Sequence, residues 1–219
     1  MSIFQEFSEG SSEPAVRGFL HEPAQPNGDA LVLTHGAGAN CQSKLLIALA
    51  NGFAEAGYLV LRCDLPFRQS RPHGPPFPAL APRDREGLRR AVEAVRSRAP
   101  GQVFLGGHSY GGRQASILAA EQPQLAAGLL LLSYPLHPPR KPTELRTAHF
   151  PQLNTPALFV HGSRDPFGSH LEMKTALKLV PAQTVLLEIE GAGHELLGKK
   201  AHEDLPTTIV QAFQDFLGT

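Results

Sequence analysis

Short apolar runs alternate with amphipathic stretches along the chain, and this alternation predicts the architecture. Each run places apolar side chains at consecutive positions, which is typical of parallel strands covered on both faces. Strands and helices that follow one another in turn predict an α/β fold with three layers, a mostly parallel central sheet and helices on both faces. The predicted strands cover residues 30–34, 58–61, 103–105, 128–133, 157–160 and 184–189.

The helical stretches carry their apolar side chains on one side. After Ser43, Leu45, Leu49 and Phe53 recur at intervals of four, and Gly57 is placed to end that helix. Further helices are expected over 84–98, after residue 109, near 169–179 and at the C-terminus. Charged side chains of the 84–98 helix lie largely outside its apolar stripe and are expected to form a solvated face; they are Arg85, Glu86, Arg89, Arg90 and Glu93.

Two proline-rich connections interrupt this pattern. Residues 65–82 contain six prolines and are predicted to be a long loop without regular structure, and residues 135–156 form a second such connection. Residues 15–20 alternate weakly, which predicts an early edge strand. No segment between strands is long enough for a cap domain. We therefore predict a single domain over 1–219, in which the two connections form the rim of the pocket.

Composition narrows the class of partner. The 219 residues include 20 basic and 20 acidic side chains, so no overall charge favours nucleic acid or an anionic membrane. No stretch approaches the run of about 20 apolar residues that spans a bilayer, and the first ten residues lack a signal-peptide core. A cytoplasmic protein that acts on a small molecule is expected. Cys41 and Cys63 lack zinc spacing and are expected to be small buried side chains, with no metal.

The candidate chemistry centres on residues 105–112, where an apolar strand breaks into glycines around Ser109. A strand that turns into a helix within two residues forces the serine into a strained backbone, and side chains at Gly107 and Gly111 would collide across the turn. The serine hydroxyl would then be presented at the tip of a sheet, beside a free amide at the positive end of a helix. The same pattern also occurs in glycine-rich connections that have no catalytic role. A catalytic role for Ser109 therefore requires a base, an acid and a second oxyanion donor from other parts of the chain.

Three further glycine turns follow predicted strands, at residues 35–38, 162–165 and 191–194. Parallel strands end on the same edge of a sheet, so these turns should meet beside Ser109. His194 would take the proton of Ser109, and Asp165 would fix the tautomer of His194 and stabilise its charged form. The backbone N–H groups of Ala37 and Tyr110 are the predicted oxyanion donors.

Other residues compete for these roles. The chain has ten histidines, and His35 and His161 are more consistent with bracing their turns than with reacting. Asp64 and Glu190 also follow strands. Asp165 is favoured because it lies after the second strand past the serine, in a turn of small residues that can hold a buried carboxylate.

Together, these turns resemble those of the α/β-hydrolase superfamily, over nearly the whole chain from Ala30 to Leu217. They are similar to the small bacterial branch related to the testis-expressed and NSL-complex-subunit hydrolase-like proteins, many of which are labelled dienelactone-hydrolase-like. The resemblance implies an α/β-hydrolase fold, no metal or organic cofactor, and a triad of Ser109, Asp165 and His194. The motifs are Thr34-His35-Gly36-Ala37-Gly38, Asp64-Leu65-Pro66-Phe67-Arg68, Gly106 to Arg113, His161-Gly162-Ser163-Arg164-Asp165 and Gly191-Ala192-Gly193-His194.

True dienelactone hydrolases use a cysteine nucleophile, whereas residue 109 is serine, so the lactone substrate is not carried over. The leading hypothesis is a serine hydrolase that cleaves a small carboxylic ester or thioester through an acyl-enzyme on Ser109, in an open site that suits short acyl groups. Arg68, Arg71 and Arg113 are candidates for binding an anionic substrate group. The branch also includes scaffold components, so a catalytically silent binding or scaffold protein is the competing hypothesis. Carbon–halogen or epoxide hydrolysis is disfavoured because those enzymes usually place an aspartate at this turn.

Overall fold

A computed structural model describes residues 3–11, 13–197 and 204–218. All of its strands belong to one eight-stranded sheet, in the order β1-β2-β4-β3-β5-β6-β7-β8. The pairs β1–β2 and β2–β4 are antiparallel, and all other neighbours are parallel. The strands are β1 (Ile3–Glu9), β2 (Val16–Glu22), β3 (Ala30–Thr34), β4 (Leu59–Cys63), β5 (Val103–His108), β6 (Leu129–Leu132), β7 (Ala157–Gly162) and β8 (Thr184–Ile189).

Helices cover both faces of the sheet, which confirms the predicted three-layer α/β fold. They are α1 (Lys44–Glu55), α2 (Pro66–Ser70), α3 (Ala81–Arg96), α4 (Tyr110–Glu121), α5 (His170–Ala176) and α6 (Leu205–Leu217). Successive side chains of a strand point to opposite faces. Within β3, Ala30 and Val32 accordingly join the core under α3, α4 and α5, whereas Leu31 and Leu33 join the core under α1 and α6. Every residue of β3, β5, β6 and β7 is buried.

The prediction of an edge strand at 15–20 was wrong in its position within the sheet. The strand forms as β2, but β1 pairs with it along seven residues and takes the outer position. β1 carries no clear strand pattern in the sequence, because polar side chains occupy most of the segment. Of its apolar residues, Phe7 is buried, whereas Phe4 is exposed.

The prediction of a long loop over 65–82 was also wrong in part. Pro66 occupies the first position of α2, where a helix has no use for a backbone N–H. Pro78 begins a short 3-10 turn at Pro78–Leu80, and Pro82 lies in the first turn of α3. These prolines therefore start helices, and irregular backbone is confined to residues 71–77. The second connection is mostly irregular, as predicted, with one 3-10 turn at Phe150–Gln152.

Two further expectations concern the membrane and the cysteines. Across the three described segments, no helix is both long and apolar enough to cross a bilayer. Cys41 and Cys63 are buried free thiols, as expected. Burial raises the pKa of Cys41 to about 12, which keeps it in the uncharged thiol form.

Candidate active site

Ser109 occupies the abrupt turn between β5 and α4. Its backbone has φ 51° and ψ −115°, a left-handed conformation that costs a non-glycine residue about 1–3 kcal/mol. Its N–H donates to the carbonyl of Leu132 at 2.8 Å, which ties the turn to β6. A Cβ at Gly107 would lie 2.8 Å from the carbonyl carbon of Gly111, and one at Gly111 would lie 2.5 Å from the carbonyl oxygen of His35. These contacts confirm that the turn excludes side chains at both glycines.

The structure brings Ser109, His194 and Asp165 together in one hydrogen-bonded series. Nε2 of His194 lies 2.8 Å from Oγ of Ser109, and its Nδ1 lies 2.8 Å from Oδ2 of Asp165. The Asp165 carboxylate is fully buried, and its other oxygen accepts from the N–H of Phe167 at 2.9 Å. A carboxylate only accepts hydrogen bonds, so Nδ1 carries the proton and Nε2 is left to accept the serine proton.

Two aromatic side chains hold His194 in this position. The ring of Phe167 lies against it with centroids 4.2 Å apart, and Nε2–H of His108 donates to its carbonyl oxygen at 2.8 Å. Burial lowers the pKa of His108, which keeps this ring neutral. On the Asp165 side, the ring of His161 donates to the carbonyl of Gly168 at 2.6 Å. His161 therefore braces its turn, as the sequence indicated.

The loop that carries Ala37 is fixed from both sides. His35 accepts from the N–H of Leu65 at 3.1 Å and donates to the carbonyl of Gly36 at 2.8 Å, and burial lowers its pKa. The guanidinium of Arg68 donates to the carbonyl of Ala37 at 2.7 Å and to that of Ala39 at 2.8 Å. Because its carbonyls point toward Arg68, the loop holds a defined path beside Ser109.

Ser109 opens into a cleft of about 510 Å³. Ala37 and Tyr110 lie on its wall next to the serine. Tyr110 is the first residue of α4, a position whose N–H has no acceptor within its own helix. Prolines from both connections, Pro75 and Pro135 among them, also line the wall together with Phe167, in agreement with the predicted rim.

The predicted substrate-binding arginines separate into two groups. Arg113 lines the cleft, but Arg68 and Arg71 are not on its wall. Arg71 donates to the carbonyl of Pro75 at 2.6 Å and lies over the ring of Phe77, while Arg68 binds the Ala37 loop.

Sequence reasoning missed two arginines that do line the cleft, Arg85 and Arg146. Arg85 was expected on the solvated face of α3, whereas Arg89 and its acidic neighbours are on that face as predicted. Asp84, next to Arg85 in the sequence, is buried and accepts a hydrogen bond from the hydroxyl of Tyr110 at 2.7 Å. This contact places the first turn of α3 beside the site, and with it Arg85. No pattern in the sequence singles out Arg146.

Asp64 and Glu190, the two acidic residues that competed with Asp165 for the role of orienting His194, have other surroundings. Asp64 accepts from the N–H of Cys41 at 2.7 Å and lies 3.5 Å from His35, so it supports the loop behind Ser109. Glu190 is exposed. Within residues 3–11, 13–197 and 204–218, no three histidine, cysteine or acidic side chains are grouped in a way that could hold a metal ion.

A mostly parallel eight-stranded sheet with a strained serine between a strand and a helix is typical of the α/β-hydrolases. A sequence model of that family, described as the alpha/beta hydrolase domain, matches residues 27–217. The chain is also 31% identical over 200 residues to ABHD14B of Rattus norvegicus, provisionally named a protein-lysine deacylase; the match covers 86% of this chain and 88% of that protein. The chain therefore belongs to the α/β-hydrolase domain family.

Solved structures share the fold at lower identity. A dienelactone hydrolase from Anabaena variabilis has a TM-score of 0.77 at 19% identity, with 99% of this chain and 97% of that chain covered. An alpha-beta serine hydrolase homologue from Coxiella burnetii has a TM-score of 0.75 at 17% identity, with 95% and 96% covered. Both similarities therefore cover nearly the whole chain.

Proposed function

We propose that the protein is a serine hydrolase that cleaves a small carboxylic ester or thioester through an acyl-enzyme on Ser109. The proposal is carried by one observation, the series of 2.8 Å contacts from Ser109 Oγ through His194 to the buried Asp165 carboxylate. A serine hydroxyl is a weak nucleophile unless an adjacent base can take its proton, and this series supplies the base and its orienting acid.

In the first half of the reaction, Oγ of Ser109 forms a bond to the substrate carbonyl carbon while its proton passes to Nε2 of His194. The bond from that carbon to the leaving oxygen or sulfur then breaks, and the leaving atom takes the proton from His194. In the second half, water gives a proton to His194 and bonds to the acyl carbon. The bond to Oγ breaks, Ser109 recovers its proton, and a carboxylic acid is released.

Charge develops on the carbonyl oxygen in both halves. The N–H groups of Ala37 and Tyr110, on the cleft wall beside Ser109, are the proposed donors to it. Removing one such donor in a serine hydrolase costs a factor of about 10²–10³ in kcat. A displacement of the loop that carries Ala37 is therefore expected to lower kcat.

The similarity to ABHD14B adds one further substrate type, an N-acyl-lysine. The same steps cleave an acyl-amide bond when His194 protonates a leaving nitrogen. A substrate panel should therefore include acyl-lysine peptides beside oxygen esters and thioesters. Turnover of the peptides above that of matched esters would favour a deacylase.

Covalent labelling with a fluorophosphonate tests the proposal without knowledge of the substrate. We expect one label at Ser109, none in Ser109→Ala, and a labelling rate about 100-fold lower in His194→Ala, because the base is gone. Ser133→Ala is the matched control, since Ser133 is also a buried serine with a positive φ of 47° but has no hydrogen-bond partner for its hydroxyl among the described residues. Absence of label on the native protein would instead support the silent scaffold.

The size of the acyl pocket is tested separately with 4-nitrophenyl esters of increasing chain length. We expect short acyl chains to be preferred, since prolines from both connections line part of the cleft. A steady rise of kcat/KM toward long chains would contradict the proposed pocket.

A further inference from the structure

Three arginines from three separate parts of the chain line the cleft that contains Ser109. Arg113 lies on α4, one turn beyond Tyr110, Arg85 lies on α3, and Arg146 lies in the connection over 135–156. A cleft of this size with three guanidinium groups on its wall carries a strong local positive charge, although the chain as a whole has formal net charge zero.

Two of these guanidinium groups lack an acidic partner. Arg85 pairs with Glu121 at 3.2 Å and also donates to the side chain of Gln114 at 3.1 Å. In the described part of the chain, neither Arg113 nor Arg146 has a carboxylate within 4.0 Å. Nε of Arg113 is buried and has no hydrogen-bond partner among the described residues.

The other titratable groups nearby do not neutralise this charge. The Asp84 carboxylate accepts hydrogen bonds from the hydroxyl of Tyr110 and from the N–H of Phe67, and burial raises its pKa. Glu144 pairs with Lys141 at 2.9 Å, and its charge raises the pKa of Arg146 less than burial and Arg113 lower it. Burial and the charges of Arg113 and Arg85 lower the pKa of His149 to about 4, so it adds no positive charge at neutral pH. Burial and the charge of Arg113 also lower the pKa of Arg146.

The elements that carry the arginines indicate which part of a substrate they would meet. α3, α4 and the 135–156 connection pack on one face of the sheet, whereas Ala192 and Leu196, which flank His194, pack on the opposite face. The leaving group must lie on the His194 side, because His194 protonates it. The acyl portion is then expected in the part of the cleft that Arg113 lines.

We propose that the acyl portion of the substrate carries an anionic group, a carboxylate or a phosphate, which Arg113 and Arg146 bind. This inference rests on the proposed serine hydrolase function and names its substrate class. Guanidinium groups bind both anions through paired N–H donors, and Arg113 and Arg146 both line the cleft. Arg85 is a weaker contributor, because Glu121 already neutralises it.

A matched pair of esters tests the proposal directly. Mono-(4-nitrophenyl) adipate carries a terminal carboxylate, and its terminal primary amide is neutral with nearly the same shape. We expect kcat/KM to be at least about tenfold higher for the carboxylate, as a charge-assisted hydrogen bond implies. 4-Acetoxybenzoate and 4-acetoxybenzamide place the same difference on the leaving group, and a preference confined to that pair would overturn the acyl-side assignment.

Variants connect the preference to the arginines. Arg113→Gln and Arg146→Gln should each reduce the ratio of the two adipate rates about tenfold, and Arg113→Lys should retain part of it. Arg17→Gln is the matched control, because Arg17 is an exposed arginine on β2 outside the cleft. An unchanged ratio in both cleft variants would overturn the proposal.

A binding measurement separates this proposal from the proposed function. Ser109→Ala protein needs no catalysis, and calorimetric titration with adipate, adipamide and inorganic phosphate reports the anion site alone. Adipate or phosphate binding that Arg113→Gln abolishes supports the site even if Ser109 never labels, and the tighter of the two identifies the anion. If Ser109 labels and turns over esters but neither anion binds, the function stands and the anion site is overturned.

Discussion

Replacing Gly111 with alanine should move the loop that carries Ala37 away from Ser109. The new Cβ would lie 2.5 Å from the carbonyl oxygen of His35 and 2.6 Å from Cγ2 of Thr34. An ordinary contact at this position begins near 3.4 Å, so α4 and the end of β3 must move apart by about 0.9 Å. The backbone of His35 leads directly into the Ala37 loop, so this loop moves relative to Ser109.

The cost can be worked out from these contacts. Overpacking costs about 1–3 kcal/mol, and we expect the upper part of that range because the nearest atom belongs to the main chain. Alanine recovers about 1 kcal/mol over glycine within a helix, which leaves a net loss of about 1–2 kcal/mol in the free energy of unfolding. The effect on activity should be larger, because a displacement of about 1 Å at a reacting centre costs a factor of about 100.

Gly52→Ala is the matched control for this prediction. Gly52 also lies within a helix, but its new Cβ would meet only Pro206 and Val210, both at the ordinary distance of 3.4 Å. We expect it to raise the free energy of unfolding by about 0.5–1 kcal/mol and to leave turnover unchanged. Urea unfolding and ester turnover, measured on both variants, test the reasoning. A Gly111→Ala protein that is as stable and as active as Gly52→Ala would refute it.

Three further predictions concern residues around the site and the sheet. Arg68→Gln should lower kcat/KM about tenfold and equally for anionic and neutral esters, because the loss of a charged hydrogen bond loosens the Ala37 loop; steady-state kinetics on the adipate pair measures this, and a loss restricted to the anionic ester would contradict it. His108→Phe should reduce kcat about tenfold at constant KM by freeing the His194 carbonyl, and His108→Gln should recover part of the rate. Burial and Arg62 lower the pKa of His21 from 6.5 to about 4, so between these values the unfolded chain binds a proton that the folded protein does not, and stability falls as the pH drops through this window. The total loss is at most about 3 kcal/mol, and urea unfolding at pH 6.5, 5.5 and 4.5 should show a smaller pH slope for His21→Gln than for the native chain.

The elements buried on both faces of the sheet were predictable from sequence. β3 has the predicted bounds, because its run of consecutive apolar residues ends at a polar and glycine turn. β8 also has the predicted bounds, although only Ile189 of its six residues is buried. The meeting of Ser109, Asp165 and His194 was predictable because each residue follows a parallel strand, and parallel strands end on the same edge of a sheet. Their catalytic roles remain predictions until labelling tests them.

The irregular parts of the molecule were less predictable. The prolines of 65–82 indicated where regular structure is interrupted, but their position at the starts of α2 and α3 depends on tertiary packing. A helical pattern tells which side of α3 is charged but not which loop lies against it, so Arg85 was placed in solvent. Arg146 reaches the cleft through the folding of the second connection, which no local pattern encodes.

The order of the strands also determines when the active site is complete. Ser109 follows the central strand β5, but His194 follows β8, which lies at the edge of the sheet and, among the described residues, pairs only with β7. Edge strands with partly exposed side chains are among the first elements to open locally. Fraying of β8 would withdraw the histidine while the buried centre of the sheet stays folded. We therefore expect the hydrogen bonds among Ser109, His194 and Asp165 to break when β8 frays, at milder conditions than those that unfold the whole protein.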